Sequence, residues 1–211
     1  MGGADVYLIA CKPQQIEELG EEFRGVVPSD GLVISILAGT SVEKLQNALG
    51  VKRVIRVMPN TPSILGHGVN LLYFPPELSL QEKEMGKKLM SAGAEIYETQ
   101  SEDQLNALTG FTGSGPAYVF ELTRAMAQLM TEYGVSGEDA GRLMIQTVHG
   151  ASELMKEKAT STDDLENLRN RVASKKGVTQ KALETLECEG LSPMFKKALQ
   201  AAHNRANELS K

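Results

Sequence analysis

The sequence predicts an α/β unit built on a parallel sheet over residues 1–100, followed by an all-helical unit over residues 101–211. Short continuous apolar runs alternate with helical patterns through the first hundred residues, as strands covered on both faces require. Beyond Ser101 no strand-like run remains. Apolar residues there recur every three or four positions, the period of a helix face.

The first element is the apolar run Val6 to Ala10, read as a strand, which the turn Lys12-Pro13-Gln14 joins to an acidic amphipathic helix from Gln15 to Arg24. Gly31 to Ala38 is a second buried strand. Ser41 then opens a helix whose Val42, Leu45 and Leu49 share one face. Arg53 to Met58 is a third strand, ended by Pro59-Asn60-Thr61-Pro62, because prolines remove backbone donors and restrain their neighbours. Gly68 to Phe74 resumes as a strand. Ser79 and Glu82 form a capping-box pattern, Gly93 fits the left-handed residue that ends a helix, and Ala94 to Glu98 is the last strand.

In the helical part, the helix opened by Pro116 confines Glu121, Arg124, Gln128, Thr131 and Glu132 to a narrow polar stripe. Val119, Phe120, Leu122, Met126, Leu129 and Met130 are among the apolar residues covering the rest. Such a helix needs cover on several sides, which a small helical unit does not supply alone, so a second copy of the chain is the expected cover. The helices from Glu138 to Lys158 and from Met194 onward each present a single apolar face.

Composition narrows the function. With 41% hydrophobic residues and 20 glycines in 211, the chain matches ordinary globular proteins rather than disordered ones. The 22 basic and 27 acidic residues give a net charge of −5, with Lys and Arg spread along the chain. Nucleic acid rewards a concentrated basic patch, so no nucleic-acid partner is expected. No apolar run reaches the roughly 18–20 residues of a membrane helix, and the start MGGADVYLIACKPQ lacks a basic signal-peptide region. No membrane association and a cytoplasmic location are therefore expected. Cys11 and Cys188 are too few and too far apart for a disulfide framework or a zinc site, and His67, His149 and His203 have no second ligand at metal spacing. No metal is expected.

Three segments are candidates for chemistry. Gly110-Phe-Thr-Gly-Ser-Gly-Pro116 offers either free helix-start donors for an anion or a tight turn that needs small residues for close packing. Ser174-Lys-Lys-Gly-Val-Thr179 offers hydroxyls, backbone donors and two ammonium groups that could clamp a carboxylate, or else an ordinary helix cap with solvated lysines. Lys12-Pro13-Gln14 ends a strand at the position where open α/β sheets bind ligands, and a plain turn explains it equally well.

Taken in order, ADVYLIACKPQ (4–14), ISILAG (34–39), RVMPNTP (56–62), LTGFTGSGPAYVF (108–120), QTVHGA (146–151) and KALETLECEG (181–190) resemble the Δ1-pyrroline-5-carboxylate reductases. These make proline from a cyclic imine with NADPH or NADH. The resemblance implies a partial Rossmann-like dinucleotide-binding domain over 1–100 and a helical dimerisation and substrate-binding domain over 101–211. The helical domain would be swapped between subunits, so that each active site draws on both chains of a homodimer or higher homo-oligomer.

It also implies site residues. Ala10, Cys11, Lys12 and Pro13 match the stretch that contacts the dinucleotide's phosphates and ribose, and Ala38 the residue beside the nicotinamide ribose. Glu102 resembles a substrate-facing carboxylate. Val178 and Thr179, with Ser174 and Gly177, match the loop whose backbone donors hold the substrate carboxylate, and the Thr179 hydroxyl would face the ring nitrogen as the catalytic group. Hydride addition to an imine is easiest when that nitrogen is protonated, which explains a hydroxyl and a carboxylate nearby.

Some features depart from the family pattern. The glycine-rich phosphate loop that opens the family's dinucleotide-binding domain does not occur in these 211 residues. Ser174-Lys-Lys-Gly-Val-Thr179 replaces the usual Ser-Pro-Gly-Gly-Thr/Ala-Thr, and Arg171 stands where a substrate-contacting asparagine is common. Two further expectations stay open on these grounds: a truncated or diverged non-catalytic homologue acting through dimerisation, and a related imine or β-hydroxyacid oxidoreductase.

Overall fold

The structure, a computed structural model, describes residues 4–23 and 25–209. Five strands form one sheet in chain order: β1 (Val6–Ile9), β2 (Leu32–Ser35), β3 (Arg53–Met58), β4 (Gly68–Tyr73) and β5 (Ala94–Thr99). Helices α1 (Ile16–Phe23), α2 (Val42–Leu49) and α3 (Leu80–Met90) connect them. The expected helix end at Arg24 lies outside the described residues.

The sheet is dominated by parallel pairs, as the sequence predicts, with one antiparallel pair among them. Strands β1, β2 and β3 are parallel, and so are β4 and β5, but β4 runs antiparallel to β3. The connection explains the reversal. Parallel neighbours need a crossover of a dozen or more residues, usually a helix. Only nine residues separate Met58 from Gly68, and they coil into a short 3-10 turn, Thr61–Leu65, closed by left-handed Gly66 at φ 78°.

Burial follows the strand period. All four residues of β2 are buried, so both faces of this strand are covered. Ile9, Val33 and Val54 face Ile16 of α1 and Leu45 and Leu49 of α2, while Leu32, Ile34, Ile55 and Leu72 pack with Phe74 and Leu78 on the other side. Local signals set the helix starts: the Ser41 hydroxyl accepts the Lys44 N–H, and Ser79 with Glu82 closes a full capping box on α3.

Helices α4 (Glu102–Thr112), α5 (Gly115–Glu132), α6 (Gly137–Lys158), α7 (Thr162–Val172), α8 (Val178–Cys188) and α9 (Leu191–Leu209) complete the chain. Helix α9 starts three residues before the expected Met194, because Pro193 falls in its first turn, where no backbone donor is needed. The compact units differ from the division at residue 100. Met1–Pro116 together with Leu199–Lys211 form the first, and Ala117–Ala198 the second. In the first unit, the end of α9 packs on α4: a Cβ at Gly110 would lie 3.2 Å from the Ala202 Cβ. In the second unit, Ala140 and Met144 of α6 are buried, whereas no described residue of α5 is. Phe120 is 65% exposed and Tyr133 87%.

Candidate active site

The pairing of β1 with β2 brings Ala10 and Ala38, the residues expected on the cofactor side, to the same end of the sheet. Ile9 lies beside Ser35, and the Ile36 N–H donates to the Ile9 carbonyl at 3.0 Å, so the two strands leave the sheet together at their C-terminal ends. Ala10 follows β1 and Ala38 follows β2, and both are exposed. Small exposed residues here let a ligand approach the backbone. Lys12 is fixed as the start of a tight turn: its N–H donates to Gln15 Oε1 at 3.0 Å, and its carbonyl accepts the Gln15 N–H at 2.9 Å. Cys11 and Pro13 flank it, both half-buried. After Ala38 the chain turns through Gly39 at φ 64°, a left-handed conformation that favours glycine.

Glu102, at the start of α4, is engaged from within the same unit. Its Oε1 accepts from Arg56 Nη1 at 2.6 Å and from the Val42 N–H at 2.9 Å. Arg56, only 3% exposed, also donates through Nη2 to Asn106 Oδ1 at 3.1 Å. A carboxylate at a helix N-terminus and a guanidinium beside it satisfy each other, as buried charge requires. Burial, then the negative charges of Glu102 and Glu77, push the Tyr73 phenol above its ordinary pKa.

Asn60, from the Pro-Asn-Thr-Pro segment, fixes the glycine-rich loop at the end of α4. Its Nδ2 donates to the Thr112 carbonyl at 3.0 Å, and its Oδ1 accepts the Val69 N–H at 2.9 Å. Gly110 and Gly113 serve close packing: a Cβ at Gly113 would meet the Thr109 carbonyl at 2.9 Å and Met58 Cε at 3.0 Å.

The Ser174–Thr179 loop, in the second unit, turns tightly, with the Gly177 N–H on the Ser174 carbonyl at 2.9 Å. Lys176 holds φ 61°, a left-handed backbone, and its N–H donates to Gln180 Oε1 at 2.7 Å. The lysine thus occupies a conformation suited to glycine without displacing the turn. Helix α8 starts with Gly177 as its cap, and no side chain caps it. Its first amides, at Val178 and Thr179, have no acceptor among the described residues. Val178 is 90% exposed. A cavity of about 660 Å³ adjoins the loop, lined by Lys175, Gln180, Arg169 and Glu184 among others, and Thr179 does not line it.

Comparison with known proteins shows the family of the chain. The family model described as pyrroline-5-carboxylate reductase dimerisation matches residues 102–209. Pyrroline-5-carboxylate reductases from Pseudomonas aeruginosa and Haemophilus influenzae are each 35% identical to this chain over 208 residues. The match covers 98% of this chain and 75% and 76% of theirs. The chain belongs to the pyrroline-5-carboxylate reductase family. Among solved structures, the Coxiella burnetii reductase superposes with a TM-score of 0.88 at 36% identity, covering 99% of this chain and 77% of that one. The Plasmodium falciparum reductase, solved with NADP bound, shares the fold with a TM-score of 0.85 at 24% identity, covering 100% and 82%.

In this reductase-family chain, β1 and β2 end together at one end of the sheet. Ala10, Lys12 and Ala38 are all exposed there. Each helix that follows these strands has a carboxylate at its N-terminus. Glu102 already fills that of α2, and Glu17 and Glu18 make the first turn of α1 acidic. Sequence reasoning missed Arg56, Asn106 and Asn60. A charged residue amid the apolar strand Arg53–Met58 was the available signal for Arg56.

Proposed function

We propose that this chain catalyses NAD(P)H-dependent reduction of 1-pyrroline-5-carboxylate to L-proline, the last chemical step of proline formation. The observation that carries the reading is the 35% identity over 98% of the chain to reductases of that name. The parallel strand ends bearing Ala10 and Ala38 and the uncapped start of α8 bearing Thr179 support it. In this reading Ala10, Cys11, Lys12 and Pro13 contact the phosphates and ribose of the cofactor, and Ala38 lies beside the nicotinamide ribose. The chemistry a bound cofactor supplies is a hydride for the imine carbon.

The substrate side belongs to the Ser174–Thr179 loop. The Val178 and Thr179 amides and the positive end of α8 take the substrate carboxylate, with Ser174 and Gly177 shaping the turn. The Thr179 hydroxyl hydrogen-bonds the ring nitrogen and relays to it a proton drawn from water, so the nitrogen is charged while the carbon accepts the hydride. We further propose a homodimer formed through the helical unit, exposing α5 only in the isolated chain, and a cytoplasmic location, which the two free thiols Cys11 and Cys188 support.

The test is NAD(P)H oxidation by the purified protein with pyrroline-5-carboxylate. Turnover is expected, and Thr179→Ala should lower kcat about 100-fold while light scattering still shows a dimer. Absence of both turnover and nucleotide binding in a dimeric wild-type protein would replace this reading with that of a non-catalytic homologue.

A further inference from the structure

The Glu102 carboxylate stands where the resemblance leads one to expect a group directed at the substrate, yet its Oε1 is committed to two partners of its own unit. It accepts the Val42 N–H at 2.9 Å and Arg56 Nη1 at 2.6 Å. Val42 is the first residue of α2, and only Gly39, Thr40 and Ser41 separate it from Ala38. The turn that presents Ala38 therefore hangs between β2 and a helix start that Glu102 grips. Three further contacts stiffen this arrangement. Ser41 accepts the Lys44 N–H at 3.2 Å, the Thr40 hydroxyl donates to the Ala38 carbonyl at 3.4 Å, and Asn106 holds the other Arg56 nitrogen. Arg56 is buried and anchored in the central strand β3, so it fixes the carboxylate rather than following it.

We propose that Glu102 is a positioning residue for the cofactor, acting through Val42 to hold the Ala38–Ser41 turn, rather than a group that touches the substrate. The inference rests on Ala38 being the residue beside the nicotinamide ribose. Small displacements matter in such a place, because hydride transfer depends on reacting carbons held about 3–3.5 Å apart. The effect belongs to cofactor binding and orientation, since the turn lies at the end of β2. The carboxylate also explains why α2, alone in following β2 at this edge, offers no anion site: the protein's own anion fills it.

Three variants separate the possibilities. Glu102→Gln keeps an acceptor oxygen for both partners and is the conservative rescue. Glu102→Ala removes it. Val42→Pro removes the N–H donor while keeping an apolar side chain at this buried position, in a first turn where proline is tolerated and after a residue already extended at ψ 159°. The expected result is that Glu102→Ala and Val42→Pro raise KM for NAD(P)H about tenfold, with KM for pyrroline-5-carboxylate within about twofold, and that Glu102→Gln stays near wild type. A loss of melting temperature alone does not produce that split. A rise in KM for pyrroline-5-carboxylate, or an altered pH profile of kcat in Glu102→Gln, with the NAD(P)H KM unchanged, would overturn the proposal and return the carboxylate to the substrate.

Amide hydrogen exchange supplies a readout that needs no turnover. Glu102→Ala should speed exchange at Val42 and at 38–41 more than about tenfold, and Glu102→Gln should not. Unchanged exchange there sinks the clamp. If wild type bound no nucleotide while the exchange result held, the catalytic reading would fail and the clamp would stand.

Discussion

Lys176 shows how a single residue can keep a backbone that its side chain disfavours. At φ 61° a non-glycine residue costs about 1–2 kcal/mol, while glycine there loses about 0.5–1 kcal/mol of chain freedom. Lys176→Gly should therefore stabilise the protein by about 0.5–1 kcal/mol, read as a higher midpoint in urea. A lower midpoint would mean that the lysine contributes more than its strain. Arg56 is the opposite case, a buried charge whose environment is complete. Removing one partner of such a pair usually costs about 3–5 kcal/mol, and Glu102, with its side chain 28% exposed, places Arg56→Ala at the low end, about 3 kcal/mol. Neither residue's role could be read from the chain. Lys176 looked like a solvated lysine because sequence pattern does not report φ, and Arg56 lay in a strand whose apolar neighbours gave no hint of Glu102, 46 positions away.

Among the elements, α1 and α2 approach through Gly20, where a Cβ would run into the Ala48 carbonyl, a backbone atom that cannot swing aside. Gly20→Ala should cost about 1–3 kcal/mol through this overlap, although alanine favours helices, and chemical denaturation would show it. The start of α3 carries a pH dependence. The Ser79 hydroxyl holds the Glu82 carboxyl below its usual pKa, aided by Arg53, while burial opposes them. A lowered folded pKa means that stability is present above the unfolded carboxylate value and is lost as pH falls through the folded one. Ser79→Ala should flatten the acid limb of the stability profile below about pH 4. An unchanged limb would assign acid sensitivity elsewhere. This helix start was legible, as were Arg53–Met58 and the cap at Ser41, because each depends on neighbours within a few positions. The direction of β4 was not, since an apolar run has the same pattern read in either direction along a sheet.

For the molecule as a whole, the exposed apolar face of α5 is the largest departure from what an isolated chain should show. If it is the dimer surface, Phe120→Glu with Leu129→Glu should weaken association at least tenfold, visible by light scattering across a dilution series, and should lower activity in parallel. Two charges that left the dimer intact would move the interface to another helix. The need for a second copy was legible because the polar stripe of this helix is too narrow for its length. The grouping of α4 and the end of α9 with the sheet was not, because periodicity tells which face is covered and never by what.

That grouping has a consequence in time. Gly39, one residue after Ala38, would meet the Leu209 Cβ at 2.6 Å if it carried a Cβ, so the last turn of α9 fits against a turn made 170 positions earlier. On the ribosome, the sheet, its helices and α4 emerge first, then wait while all of 117–198 is synthesised. At about 5–20 residues per second, those 82 residues take on the order of 4–16 s. Through that interval the turn beside Ala38 lacks its cover, and it is among the last parts of its unit to be closed.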